Sequence, residues 1–150
     1  MITLQPMSDE TFAIWSPRTW ASYREELIRA GMSEAGADEN IAQNVAATMP
    51  DGKLLAGQYV FDVCDGVVSV GAVWLAEREN EWFIYDIEID DAHRGKGFGR
   101  EAMRRIEEFV RAQGGSTIGL SVFGFNEVAQ NLYRSEGYHV TRLSMQKRLG

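Results

Sequence analysis

The stretch from Asp86 to Arg100, DIEIDDAHRGKGFGR, sets two opposite charge populations side by side. Asp86, Glu88, Asp90 and Asp91 put four acids within six residues; Arg94, Lys96 and Arg100 put three bases within the next seven-residue stretch. Gly95, Gly97 and Gly99 are interleaved with the bases. Glycine permits positive φ and lets backbone approach a ligand closely. If a helix starts here, its first turn adds unpaired N–H groups and a partial positive charge, which together hold phosphate. A ligand with an anionic body that meets a cationic amine matches this reversal of charge. Two common nucleotide motifs do not fit. GxGxxG starting at Gly95 requires a glycine where Arg100 stands, and GxxxxGK[ST] is absent. Read alone, the loop is equally consistent with turn glycines flanked by solvated bases.

The elements around the loop must hold it in place. Ile2 to Leu4 reads as a short strand. Ser8, followed by Asp9 and Glu10, reads as a helix cap, with Pro17 interrupting the helix and Arg18 to Ala30 resuming it. Ser33 to Met49 reads as a further helix, and Pro50-Asp51-Gly52 as a turn. Gln58 to Cys64, Val67 to Ala76 and Trp82 to Asp90 read as three strands of an antiparallel meander, with Asp65-Gly66 as a hairpin signal. Phe98 to Gln113 carries a helical apolar stripe of Phe98, Ala102, Ile106, Phe109 and Val110. Its outer side offers the spaced pairs Glu101–Arg105 and Glu107–Arg111. Thr117 to Phe123 reads as a strand, Glu127 to Ser135 as a helix capped by Asn126, and Tyr138 to Leu149 as a last strand. The strand–helix–strand unit over 82–123 predicts a right-handed crossover between parallel strands. The fold class is therefore mixed α/β: a central, mostly antiparallel sheet with one parallel pair and flanking helices.

Bulk properties narrow the function. The chain has 150 residues, the length of one domain over 1–150. A net charge of −7 argues against general nucleic-acid binding and permits a cationic substrate. No apolar run approaches a membrane span. The start MITLQPMSDE lacks a basic region followed by an apolar core, so no secretory leader is expected. Cys64 is the one cysteine and lies in an alternating apolar segment, which reads as a buried thiol. His93 and His139 stand apart, so no metal site is expected. These features point to a reducing, cytoplasmic setting.

Arg94-Gly95-Lys96-Gly97-Phe98-Gly99 resembles the (R/Q)-x-x-G-x-(G/A) signature of the GNAT family, the GCN5-related N-acetyltransferases. Ile87-Glu88-Ile89-Asp90 resembles the strand that leads into that loop. Asn126-to-Tyr138, NEVAQNLYRSEGY, resembles a second hallmark, with Asn126, Ala129, Tyr133, Gly137 and Tyr138 at its marked places and Tyr138 in the position more often held by Phe. The resemblance covers about residues 55 to 148; residues 1–50 match only a general pattern of variable N-terminal helices. It implies a GNAT-like fold in which two parallel strands splay apart around acetyl-CoA, the acyl-donor cosubstrate. It implies that the backbone of Ile87 and Ile89 pairs with the pantetheine arm. Arg94, Gly95, Lys96, Gly97, Phe98, Gly99 and Arg100 would wrap the pyrophosphate, mostly through N–H groups, and Asn126 would line the opposite strand.

The implied chemistry is direct attack of a primary amine on the thioester through a tetrahedral intermediate. A lysine-like amine with a pKa of ~10.4 is about one part in 10³ neutral near pH 7, so a base helps. Glu88 is the first candidate, because its side chain points opposite to Ile87 and Ile89; Asp86 and Asp90 share its face as rivals. A strand N–H near Ile89 could hold the oxyanion. Tyr133 takes the family's position for the acid that assists the thiolate. Trp15, Trp20, Tyr23, Glu25 and Glu26 could form one wall of an acceptor site for a small-molecule or peptide amine, although Trp15 and Trp20 fit a plain core role better. An alternative is a non-catalytic acyl-CoA-binding module of the same fold. A homodimer is common for such folds, and no sequence feature demands one.

Overall fold

The computed structural model describes residues 1–150. Its five-stranded sheet runs β1 (Ile2–Pro6), β2 (Gln58–Asp65), β3 (Val68–Glu77), β4 (Trp82–Ile89) and β5 (Ile118–Leu120), in that spatial order. Neighbours are antiparallel except β4 and β5, which are parallel. Four helices accompany it: α1 (Asp9–Arg29), α2 (Glu34–Thr48), α3 (Phe98–Ala112) and α4 (Glu127–Ser135). This is the expected mixed sheet, with α3 as the crossover between the parallel strands.

The core has two parts. The larger joins Ile2, Val63, Val70, Val73, Leu75, Trp82 and Ile84 of the sheet to Ala102, Met103, Ile106 and Val110 of α3. The smaller joins Val60, Ala72 and Trp74 to Trp15 of α1 and Met49 after α2. Alternation along β3 separates them: Val73 and Leu75 face α3, whereas Ala72 and Trp74 face α1. Trp15 and Trp20 are thus packing residues, both set edge-on against Trp74.

Four expectations are corrected. Pro17 does not interrupt α1, which is continuous. Pro17 and Ala13 are both exposed, so the carbonyl that loses its donor faces water. Arg105 does not meet Glu101; it pairs with Glu108 at 3.0 Å and donates to the Ile2 carbonyl at 2.8 Å, tying α3 to β1. Strand β5 is shorter than 117–123, because its pairing with β4 ends at Ile84–Leu120. The segment from Tyr138 to Leu149 is no strand within this chain: residues 139–150 are exposed and join no backbone ladder.

One close approach aligns the sheet at the future site. Gly71 on β3 pairs with Ile89, and a Cβ added there would collide with the Glu88 carbonyl. Both sides of the clash are backbone, so neither can rotate away. Gly71→Ala is expected to lower stability by about 1–3 kcal/mol in urea unfolding, as overpacking does.

Candidate functional site

The site begins at a defect in β4. Trp74 pairs with Asp86 and Leu75 with Ile84, leaving Tyr85 as an extra residue. Bulges of this kind bend a strand and end pairing. Here β4 stops pairing with β5 after Ile84, while its other edge stays bonded to β3 as far as Ile89. A wedge therefore opens beside residues 85–89. The bulge also resets the side chains. Ile87 and Ile89 pack on the α3-side core, as Trp82 and Ile84 do, which sends Asp86 and Glu88 to the α1 side.

The glycine loop closes the end of this wedge. Gly95 and Gly97 have φ of 78° and 80°, a region that favours glycine, and Gly97 caps α3 with no side chain to bond the first turn. The N–H groups of Gly95, Lys96, Gly97, Phe98, Gly99 and Arg100 donate to no backbone or side-chain acceptor. Six consecutive free amides at the start of a 15-residue helix form an anion-binding concavity. The side chains are less free. Arg94 pairs with Asp91 at 2.7 Å and donates to the Ile89 carbonyl at 2.9 Å. Arg100 and Arg104 both grip Glu136, at 2.8 and 2.9 Å, which holds the Glu136 carboxyl below its usual range. Lys96 has no ion-pair partner and is the free cation of the loop. Phe98 packs on the core, so only its amide faces the concavity.

The other side of the wedge is acidic and poorly solvated. Burial, reinforced by Glu88 and Glu26, pushes the Asp86 carboxyl up to about 7. Glu26 of α1 is also raised, by burial and then by Glu88. No cation is paired with Asp86, Glu88 or Glu26. Nor do any three His, Cys, Asp or Glu side chains converge as metal ligands would. Glu88 lies at the exposed rim, Glu25 faces solvent and Asp90 is exposed beyond the strand end. Tyr23 leans on Phe123, joining α1 to the segment after β5.

Tyr133 completes the set. It is half-buried on α4, and burial together with the charge of Asp86 pushes its hydroxyl up to about 12. Two β4–α4 groups of opposite protonation habit thus sense each other across the wedge. Asn126 caps α4, its Oδ1 accepting from the Ala129 N–H at 3.1 Å. The Cys64 thiol is buried and raised, which leaves it no nucleophilic character.

The model of the acetyltransferase (GNAT) family matches residues 13–138. The chain belongs to that family. It is 29% identical over 153 residues to YdgE, an uncharacterised N-acetyltransferase of Bacillus subtilis, covering 98% of each chain. The crystal structure of YycN, also from Bacillus subtilis, superposes with a TM-score of 0.90 at 29% identity and 99% coverage of both chains. AAC(6')-Iy, solved with the bisubstrate analogue CoA-S-monomethyl-acetylneamine, shares the fold at a TM-score of 0.60 and 11% identity, over 100% of this chain and 99% of that one. This chain is therefore a GNAT acetyltransferase, and the wedge, glycine loop and Tyr133 lie on the elements that the family motifs predict. What the motifs did not single out is Asp86. In the sequence Asp86 stands only as a rival to Glu88 on the same strand face; the bulge at Tyr85, which resets that face relative to Trp82 and Ile84, has no simple sequence signature.

Proposed function

We propose that this GNAT protein transfers an acetyl group from acetyl-CoA to a primary amine of a cationic small molecule or peptide. One observation carries the reading: a strand edge that the fold leaves unbonded runs from a cluster of acids with no salt-bridge partner to a row of free amides at its end. Acetyl-CoA, when bound, supplies an activated thioester. The amides of residues 95–100, with Lys96, suit its pyrophosphate, and the open edge at Ile87 and Ile89 suits an amide-bearing arm. At Ile89 the carbonyl is already taken by Arg94, which leaves its N–H as the group for a ligand or an oxyanion. The same fold in AAC(6')-Iy accepts a CoA-linked amine analogue, which is in keeping with this division of the wedge.

Asp86, rather than Glu88, is our choice of base. An ammonium of pKa ~10.4 gives up its proton to a group near 7 against a gap of about 3 units; an ordinary carboxylate near 3.8 faces about twice that gap. Tyr133 acts from the other side. A hydroxyl held at about 12 is protonated at neutral pH, but it is a weaker acid than a thiol of pKa ~8.5. Full transfer to the sulfur is therefore uphill, and Tyr133 assists by donating a hydrogen bond to the developing thiolate. Glu26 and Glu88 attract the cationic acceptor and orient its amine toward Asp86.

Thiol release from acetyl-CoA across polyamines, amino acids, aminoglycosides and peptides tests the proposal, with Tyr133→Phe run beside the wild type. Turnover with one amine class is expected, and kcat in the variant is expected to fall about 10- to 100-fold, the worth of one charge-assisted hydrogen bond, with calorimetric acetyl-CoA affinity unchanged. Tight binding without turnover on any amine would favour a binding module instead; no binding would overturn the reading of the glycine loop.

A further inference from the structure

Tyr133 can serve the departing sulfur only if α4 is held in register with the start of α3, where the acyl donor is bound. Apolar packing does part of this. Tyr133 leans on the core, and Leu132 stands over Gly99, where an added Cβ would lie 3.4 Å from the Leu132 Cδ2. Yet none of the nine residues of α4 is fully buried, and a helix of that length is marginal without its neighbours. The polar ties at its first turn, from Asn126 and Gln130, run only to the backbone of 123–129, the helix's own segment.

The ties at its other end reach α3. The Glu136 side chain is 8% exposed and gives one oxygen to each of two arginines, Arg100 at 2.8 Å and Arg104 at 2.9 Å. Two residues on, Tyr138 donates its hydroxyl to Glu107 at 3.2 Å. The backbone carries this grip to Tyr133. Its carbonyl accepts from the N–H of Glu136 at 3.1 Å and from the N–H of Tyr138 at 3.0 Å. Gly137, at φ 94°, turns the chain so that both reach it. Arg100 is the far end of the clamp. Its N–H is one of the six free amides, while its guanidinium is spent on Glu136. One residue thus borders the anion concavity with its backbone and holds α4 with its side chain.

We propose that Glu136 is a positioning residue for acetyl transfer: by holding Arg100 and Arg104 together, it fixes the Tyr133 hydroxyl relative to the acyl donor at the start of α3. This rests on the reading of Tyr133 as hydrogen-bond donor to the developing thiolate. An ion pair kept for stability alone would make no difference between Tyr133 and any other residue of the site.

Glu136→Ala leaves two arginines that already reach water, at 42% and 62% exposure, so the variant is expected to fold. With the amine that turns over best, kcat for thiol release is expected to fall about tenfold, on the scale of a misplaced catalytic group. Calorimetric affinity for acetyl-CoA is expected to be equal or tighter, because two guanidinium groups are released near the concavity. Added to Tyr133→Phe, Glu136→Ala is expected to lower kcat no further than Tyr133→Phe alone, to within about twofold. If Glu136→Ala does not accumulate, Glu136→Gln replaces it under the same criteria; it keeps the shape and loses the charge that holds two arginines. A wild-type kcat in the Glu136 variant overturns the inference. So does a loss that multiplies with that of Tyr133→Phe, or one that follows a weaker acetyl-CoA affinity. A Tyr133→Phe variant as fast as the wild type, or no turnover with any amine, is instead a failure of the underlying reading, and leaves the clamp nothing to position.

Discussion

Asp86→Asn is expected to lower kcat/KM for acetyl transfer by about 10²–10⁴, the contribution of a positioned general base, while acetyl-CoA affinity stays unchanged. The wild-type profile of kcat/KM against pH should carry an acidic limb with an apparent pKa of about 7, set by burial of Asp86 and by its neighbours Glu88 and Glu26. The residual activity of the variant should lack that limb. Glu88→Gln separates the rivals. Glu88 is exposed and acts on Asp86 through its charge, so its loss should move the limb to lower pH without removing it. Should Glu88→Gln abolish the limb and Asp86→Asn preserve it, the base is Glu88.

The same substitution carries a stability signature of the opposite sign to its effect on activity. A carboxyl raised from 3.8 to about 7 binds its proton more tightly in the folded chain than in the unfolded one. Across that window the folded state holds more protons, so Asp86 makes stability fall as pH rises. The cost approaches about 4 kcal/mol once pH exceeds 7. Asp86→Asn should therefore be more stable than the wild type at pH 8, and the difference should close as pH falls toward 4. Urea unfolding at several pH values reads this directly. Glu136 contributes with the opposite sign: Arg104 and Arg100 lower its carboxyl, so its stabilisation is lost in acid. A protein that holds a poorly solvated acid with no cation partner trades stability for a site that a substrate cation can satisfy.

The parts that were legible in the sequence share a cause. Periodicity and turn chemistry are local, and they reveal the meander, α3 and the glycine loop because each of those elements is specified by its own residues. Gly66 at φ 64°, between β2 and β3, is where the Asp65-Gly66 signal placed the hairpin. The illegible parts depend on partners far along the chain. Pro17 carries a breaker signal, yet the exposure of Ala13 and Pro17 removes its sharpest cost. Glu101–Arg105 has the right spacing, but Ile2 and Glu108 compete for the arginine. The tail reads as a strand in sequence, yet a strand needs a bonded neighbour, and residues 139–150 join no backbone ladder. Asp86 shows the same limit at the site: alternation alone puts Asp86, Glu88 and Asp90 on one face, and only the approach of α1 distinguishes the half-buried Asp86 from its exposed neighbours.

Gly97→Val is expected to weaken acetyl-CoA binding about 100-fold in calorimetry. Gly97 sits at φ 80° with nothing within 4 Å of an added Cβ, so space is not the constraint; conformation is. A β-branched residue held in that region costs about 1–2 kcal/mol, roughly tenfold in affinity if the loop must return to it for binding. When it relaxes to negative φ, the amides of Phe98 and Gly99 turn away from the concavity, and each lost bond to an anion adds about 1.5–3 kcal/mol. Stability must be held apart from affinity. Gly114, at the far end of α3, has φ 85° and equally open surroundings. Gly114→Val should bring a comparable loss of stability with acetyl-CoA affinity intact. If both variants bind as the wild type does, the six free amides do not hold the cosubstrate, and the glycines serve the turn alone. If both lose affinity in proportion to stability, the effect belongs to α3 as a whole. Only a loss confined to Gly97→Val places the anion at the start of the helix.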